Sequence, residues 1–439
     1  MSAVLPSSSG TRAGAAARSQ WPVWLCWFAM VLDGFDLVVL GAVIPTLLKT
    51  HELGFDPVGA TLAATISLVG VGLGALFIAP LSDRFGRRRL LIACVAWFSV
   101  FTLAVVAAPN VALFSAFRLL AGLGLGACLP AALAYINDYA KAGSGASNTT
   151  RTMTGYHAGA VATAFLALLI MPNWRAMFIA GGVAGLVLVP FLWAKLPESL
   201  PTAPKAAPGA GSAHDGGEAP SSSASPSAVD SARAEKLGFR ALLRKPYPLV
   251  AIGIAVASFM GLLLVYGLNT WLPTLMAEAG YSMSSSLTLL LVLNVGAVAG
   301  LLLAGWLADR HGTKRIVLMW FGVSAVLLAA LSIRMQNELL LNAAVFVTGV
   351  FVFSAQVLVY AWVSQLFPAH LRGTALGFSA GVGRIGAILG PAVTGTLVTL
   401  GVAYPWGFYV FAAAAVLAVL ALVAVPHAVA MPAAERADA

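Results

Sequence analysis

LSDRFGRRRL (Leu81–Leu90) returns 226 residues later as LADRHGTKRI (Leu307–Ile316), and this pair of segments decides how the chain is built. Each copy is a short, polar, glycine-centred run between two long apolar stretches. Two further echoes keep the same order. IPTLL (Ile44–Leu48) matches LPTLM (Leu272–Met276) at an offset of 228, and TGYHAG (Thr154–Gly159) matches LGFSAG (Leu376–Gly381) at an offset of 222. Near-constant offsets indicate one unit used twice, with sites expected at the interface of the halves.

The stretches between the echoes set the class. The chain of 439 residues is 60% hydrophobic and 9% charged, with a mean hydropathy of +0.91; a soluble domain carries about 25% charge. A helix needs about 20 apolar residues to cross a bilayer. About twelve such spans are read at 21–48, 57–81, 90–108, 111–139, 153–172, 175–195, 247–272, 284–308, 316–334, 339–366, 374–400 and 405–427. The expected fold is all-α and integral to the membrane, as two six-helix halves. The divisions are a tail at 1–20, a bundle at 21–196, a linker at 197–245, a bundle at 246–427 and a tail at 428–439. Pro201–Gly238, rich in Ala, Pro, Ser and Gly, cannot bury a core. The first apolar run is too long for a cleaved signal and reads as a retained helix.

Charge placement orients the bundle. Of 25 Lys and Arg, 20 fall in the tails, the linker and the loops of one side, against Lys49, Arg175 and Arg334 on the other. Positive residues favour the cytoplasmic side, so both termini and the linker are expected there, in a cell inner membrane. This placement accounts for the net charge of +9 without nucleic acid. Cys26, Cys94 and Cys128 lie in apolar segments without metal-like spacing. No phosphate-binding loop, nucleophile–base arrangement or metal cluster is present in the sequence, so neither an enzyme nor a cofactor is expected and an ion gradient must supply the energy.

Within the first span, WPVWLCWFAMVLDGFDLVVLGAVIPTLL (Trp21–Leu48), Asp33 and Asp36 stand on one helix face. Each costs about 2.5–3.5 kcal/mol at mid-bilayer on insertion scales. Burial in low dielectric favours the protonated form of a carboxylate, which suits a proton carrier. The alternative is a fixed ion pair with Arg118 or Arg384, the two arginines well inside spans. A guanidinium fork also matches a substrate carboxylate in two parallel hydrogen bonds. His157, beside Tyr156, can relay protons or pack between helices. Phe35, Tyr156, Tyr266, Trp271, Tyr360 and Phe378 are candidate walls for an aromatic ligand. Gly124, Gly126, Gly296 and Gly300 fit close helix contacts.

The loop motif Ser82–Arg89 with its echo resembles the signature of the major facilitator superfamily, over essentially the whole chain outside tails and linker. Asp33-Gly34-Phe35-Asp36 narrows the likeness to the aromatic acid:proton symporter family of benzoate, hydroxybenzoate and gentisate carriers. Trp174-Arg175, Leu196–Ser199, Asn269–Pro273 and Gly381–Gly386 support it, and Tyr156-His157 is closer to the benzoate and gentisate type. The resemblance implies import of an aromatic carboxylate with protons by alternating access. It implies proton coupling at Asp33 and Asp36 and favours Arg384 as a substrate contact; Arg118, His157, Tyr156, Tyr266, Asn269 and Trp271 are the further candidate contacts. A monomer in the lipid bilayer is expected. The rivals are an exporter of drugs or organic acids on the same fold and a non-transporting sensor.

A cytoplasmic gate is expected at the loop motifs: Asp83, Arg84, Gly86, Arg87, Arg88 and Asp138 in the first half, Asp309, Arg310, Gly312, Arg315 and Arg372 in the second. Asp138 lies 20 residues from Arg118, about 30 Å along a helix, so the two cannot pair. Its expected partners are Arg84 and Arg87. The family usually has glutamate there, and the second half has Gln365, so the second latch should be weaker.

Overall fold

The computed structural model describes residues 21–139, 145–197, 242, 247–367 and 369–426. The two tails and Pro201–Gly238 lie outside the described residues. Among those described, the chain is helical with no strand. The helices are α1 (Trp21–Thr50), α2 (Pro57–Leu73), α3 (Arg87–Ala104), α4 (Val111–Tyr139), α5 (Gly145–Ile170), α6 (Trp174–Lys195), α7 (Pro248–Glu278), α8 (Met283–His311), α9 (Thr313–Ala330), α10 (Glu338–Leu366), α11 (Ala369–Thr399) and α12 (Ala403–Val423). A π turn at Gly74–Ile78 and a 3-10 turn at Ala79–Leu81 extend α2. Among the described residues, eleven helices are long and apolar enough to cross a membrane. The twelfth is α5, apolar over its described stretch Thr154–Ile170. Several helices outrun the apolar runs, as α7 does to Glu278, because backbone hydrogen bonding continues where polar side chains reach water.

The duplication is visible in the backbone. Gly86 and Gly312 precede α3 and α9 with φ of 91° and 88°, a region that favours glycine. Two residues on, the paired cations do the same job. Arg88 Nη2 donates to the Trp193 carbonyl in the last turn of α6 at 2.6 Å, and Lys314 Nζ donates to the Val425 carbonyl just past α12. The last carbonyls of a helix lack intrahelical partners and carry partial negative charge, so a cation there satisfies both. Arg88, expected at the gate, thus ties α3 to α6 within its own half.

These contacts, with Trp27 Nε1 to Thr154 Oγ1 at 3.1 Å, mark the end of the bundle that holds the termini. At the opposite end, Tyr404 donates to the Ser332 carbonyl at 2.6 Å and Tyr281 to the Met335 carbonyl at 3.0 Å. The halves touch through α1 with α7, α2 with α11 and α5 with α8. A Cβ at Gly41 would collide with the Asn269 carbonyl, and one at Gly395 with the Thr61 hydroxyl. The buried residues of the first half near the opposite end, such as Val43, Leu47, Phe55 and Trp174, share one core with the second half. Those near the termini, such as Cys26, Leu91, Phe98 and Ile136, form a separate cluster. The halves are therefore sealed together at the opposite end.

Candidate functional site

Asp36 is held in place on every side. Arg118 Nη1 of α4 donates to Asp36 Oδ2 at 2.7 Å, and Nη2 to the Asp36 carbonyl at 3.0 Å. Thr102 Oγ1 of α3 donates to Oδ1 at 2.7 Å. Asp36 is 2% and Arg118 1% exposed, and the guanidinium also lies 5.8 Å from the Phe178 ring centre of α6. Arg118 Nε has no partner, but removing either ion would leave the other charge buried and uncompensated, so the two are kept as a unit. The pair therefore locks four helices of the first half. Arg118, expected as a substrate contact or as a partner of the aspartates, is occupied by Asp36. Thr102 was not anticipated; a lone hydroxyl in an apolar span carries little signal.

Asp33 is placed differently. It is 4% exposed, and its Oδ1 has no hydrogen-bond partner. The charges that act on it are Arg384 of α11 and Asp36. Gly34 lets α1 press against α5, since a Cβ there would collide with the Tyr156 carbonyl. This contact brings Tyr156 to Tyr266, within the field of Asp33 and Arg384. Arg384 Nη1 donates to the Tyr266 hydroxyl at 3.3 Å, and Tyr360 of α10 lies within its field. Tyr156, His157, Tyr266, Tyr360 and Arg384 are all partly exposed at mid-bundle, as residues lining an internal space are. His157 Nδ1 has no partner, and its ring lies 5.2 Å from Tyr156 and 6.5 Å from Phe353 across the halves. The arrangement is one guanidinium, one unsatisfied carboxylate and several aromatic faces, drawn from both halves.

Other expected residues are placed elsewhere. Trp271 is fully buried and donates to the Pro391 carbonyl at 2.9 Å, so it packs α7 on α11 within the second half. Asn269 is 3% exposed and its Oδ1 accepts from Asn294 Nδ2 at 3.1 Å; its backbone, through Gly41, forms the seam between halves. Phe35 packs against Gly181 of α6. Gln356 was missed. Its amide is 3% exposed with both polar atoms unpartnered, pressed on Gly261, and an intramembrane amide in FVFSAQVLVY is a polar signal of the same kind as Asp33. At the gate, the side chains of Asp83, Arg84, Asp138 and Arg372 lie outside the described residues. Asp309, Arg310 and Arg315 are exposed, and Arg310 stacks on Trp306 at 4.2 Å. No cluster of His, Cys, Asp and Glu able to hold a metal occurs among the described residues.

Two six-helix halves around a partly exposed, charged centre are the architecture of a membrane carrier. The sequence profile of the Major Facilitator Superfamily matches residues 26–303 and 288–438, and the chain belongs to that family. It is 35% identical to the gentisate transporter of Corynebacterium glutamicum, over 93% of this chain and 88% of that one. It is 30% identical to the gallate transporter of Pseudomonas putida (94% and 93%) and 31% identical to the benzoate transport protein of Acinetobacter baylyi (90% and 86%). The expected likeness to aromatic-acid carriers is borne out. Solved structures of a nucleoside transporter (TM-score 0.71, 17% identity, 92% of this chain and 98% of that one) and of a D-xylose–proton symporter (0.70, 16%, 92% and 96%) share the fold.

Proposed function

We propose that this chain is a proton-coupled symporter that imports an aromatic carboxylate, of the benzoate, hydroxybenzoate or gentisate kind, by alternating access. The observation that carries the reading is the unequal setting of the two aspartates: Asp36 is satisfied by Arg118 and Thr102, while Asp33 Oδ1 has no partner and lies within the field of Arg384. Asp33 is therefore the carboxylate free to exchange a proton. The relatives that transport gentisate, gallate and benzoate supply the cargo class.

The charges balance in two states. With the site empty, ionised Asp33 offsets Arg384. When the substrate carboxylate takes the Arg384 fork, Asp33 holds a proton, and the site is again neutral. A neutral centre in both states keeps the barrier low as the halves rock, since an unpaired charge in low dielectric is costly. Tyr266, Tyr156, His157 and Tyr360 then face the ring and its substituents. The termini end is cytoplasmic, in the inner membrane of the cell, as the placement of Lys and Arg supports. Pairing of Asp138 with Arg84 and Arg87 gates that end. The chain works as a monomer, on the proton gradient alone.

Uptake of labelled benzoate and gentisate into proteoliposomes tests the reading. Accumulation that needs an inward proton gradient and collapses with a protonophore is expected. Uptake indifferent to the protonophore contradicts symport.

A further inference from the structure

A cleft of about 540 Å³ opens at the sealed end of the bundle, at the last turn of α1. Its walls come from both halves: Lys49 and Thr46 of α1, Met171 after α5, and Met283 and Leu287 of α8. The size suits a small organic ligand; such sites run about 300–1,000 Å³ and combine apolar walls with a few polar groups. Lys49 is exposed and forms no ion pair among the described residues, whereas the neighbouring Arg175 is spent on Glu52 at 2.6 Å. Among the described residues, Lys49 is thus an unpaired cation on the cleft wall. Two methionines provide polarizable walls, which favour aromatic rings.

The cleft exists because α8 lies against α1 and α5. When the halves part at this end, its two walls separate. A ligand that fills it contacts both halves only in the sealed state, and so stabilises that state at the expense of the open one.

We propose that this seam cleft is a second site for aromatic carboxylates, anchored by Lys49, whose occupation slows opening toward that side. The inference builds on the proposed transport function but concerns a different set of residues. Substrate at high concentration on that side is its own brake.

The test has two parts. Equilibrium dialysis of purified protein with labelled benzoate is run for Arg384→Gln, which disables the central site, and for Arg384→Gln with Lys49→Gln. Retention of one bound benzoate in the first and loss of it in the second are expected. Ala167→Trp, which fills the cleft and leaves the charge in place, should abolish the same binding. In proteoliposomes, the uptake rate of the unaltered chain should rise, peak and fall with benzoate concentration, and Lys49→Gln should remove the fall while the low-concentration KM stays within about two-fold, a change worth roughly 0.4 kcal/mol or less. No benzoate bound to Arg384→Gln, or binding indifferent to both cleft substitutions, overturns the proposal. A rate that climbs to a plateau in the unaltered chain does so too. Failure of the transport reading looks different: the unaltered chain accumulates nothing, whatever Arg384→Gln binds.

Discussion

Asp36 and Asp33 are three residues apart and share almost the same depth, yet their neighbours assign them separate work. Asp36 is an anchor: it holds Arg118 and Thr102, so removing it strands a buried guanidinium. Asp36→Ala should cost roughly 3–5 kcal/mol, the usual penalty for breaking a buried pair, read as a lower unfolding temperature in detergent. Asp36→Asn with Arg118→Gln, which removes both charges together, should recover much of that loss. Asp33→Asn should leave the unfolding temperature near that of the parent and abolish accumulation, while exchange of labelled for unlabelled substrate persists. That contrast is checked by running both assays on the same preparations. The sequence offers both aspartates and both arginines as candidates, but which acid meets which base depends on the rotation of α1 against α4 and α11. Spacing along one helix carries no information about that. Trp271 shows the same limit, because its place among the motif residues says nothing about the direction of its ring toward Pro391.

At the scale of elements, close approach governs. α1 and α5 meet where Gly34 lies on the Tyr156 carbonyl and Gly159 lies on the Val31 carbonyl. Gly34→Val should drive the helices apart, displace Tyr156 from Asp33 and abolish uptake, with lower yield of folded protein on size-exclusion chromatography. The turn after α1 is strained, with His51 and Leu53 at φ of 53° and 58°, a conformation that β-carbons disfavour. Glu52 fastens it: Trp174 Nε1 donates to its carboxylate at 3.0 Å and Arg175 at 2.6 Å. These two hydrogen bonds, the Trp174 bond first, hold the Glu52 carboxyl below the ordinary glutamate range. A depressed folded-state value means that the fastening is present above the unfolded value and is lost as pH falls through the folded one. Hydrogen-exchange protection of residues 51–56, taken relative to the intrinsic rate at each pH, should therefore fall in strong acid, and Glu52→Gln should make that protection pH-independent. The sequence marks Trp174-Arg175 as notable but gives no sign of Glu52 as their partner, since the contact joins segments 122 residues apart.

The molecule as a whole was the most legible level. A bilayer fixes helix length, and three repeated segments fix the division into halves, so the twelve helices and the duplicated fold follow from the amino-acid order alone. The paired glycines before α3 and α9 and the paired cations that cap α6 and α12 show the duplication at atomic detail. The seam was not legible, because which ends of the halves touch is a matter of conformation. The charge balance at the centre predicts one proton per substrate anion and no net charge moved. Uptake driven by a fixed pH difference should then be unchanged when a valinomycin–potassium potential is imposed, and a potential-dependent rate would indicate more than one proton. The most direct test of the account is proton movement itself. A pH-sensitive dye trapped in proteoliposomes, with no imposed gradient, should report internal acidification when aromatic carboxylate is added outside the unaltered chain, and none for Asp33→Asn. Equal acidification by Asp33→Asn would contradict the assignment of the proton to Asp33.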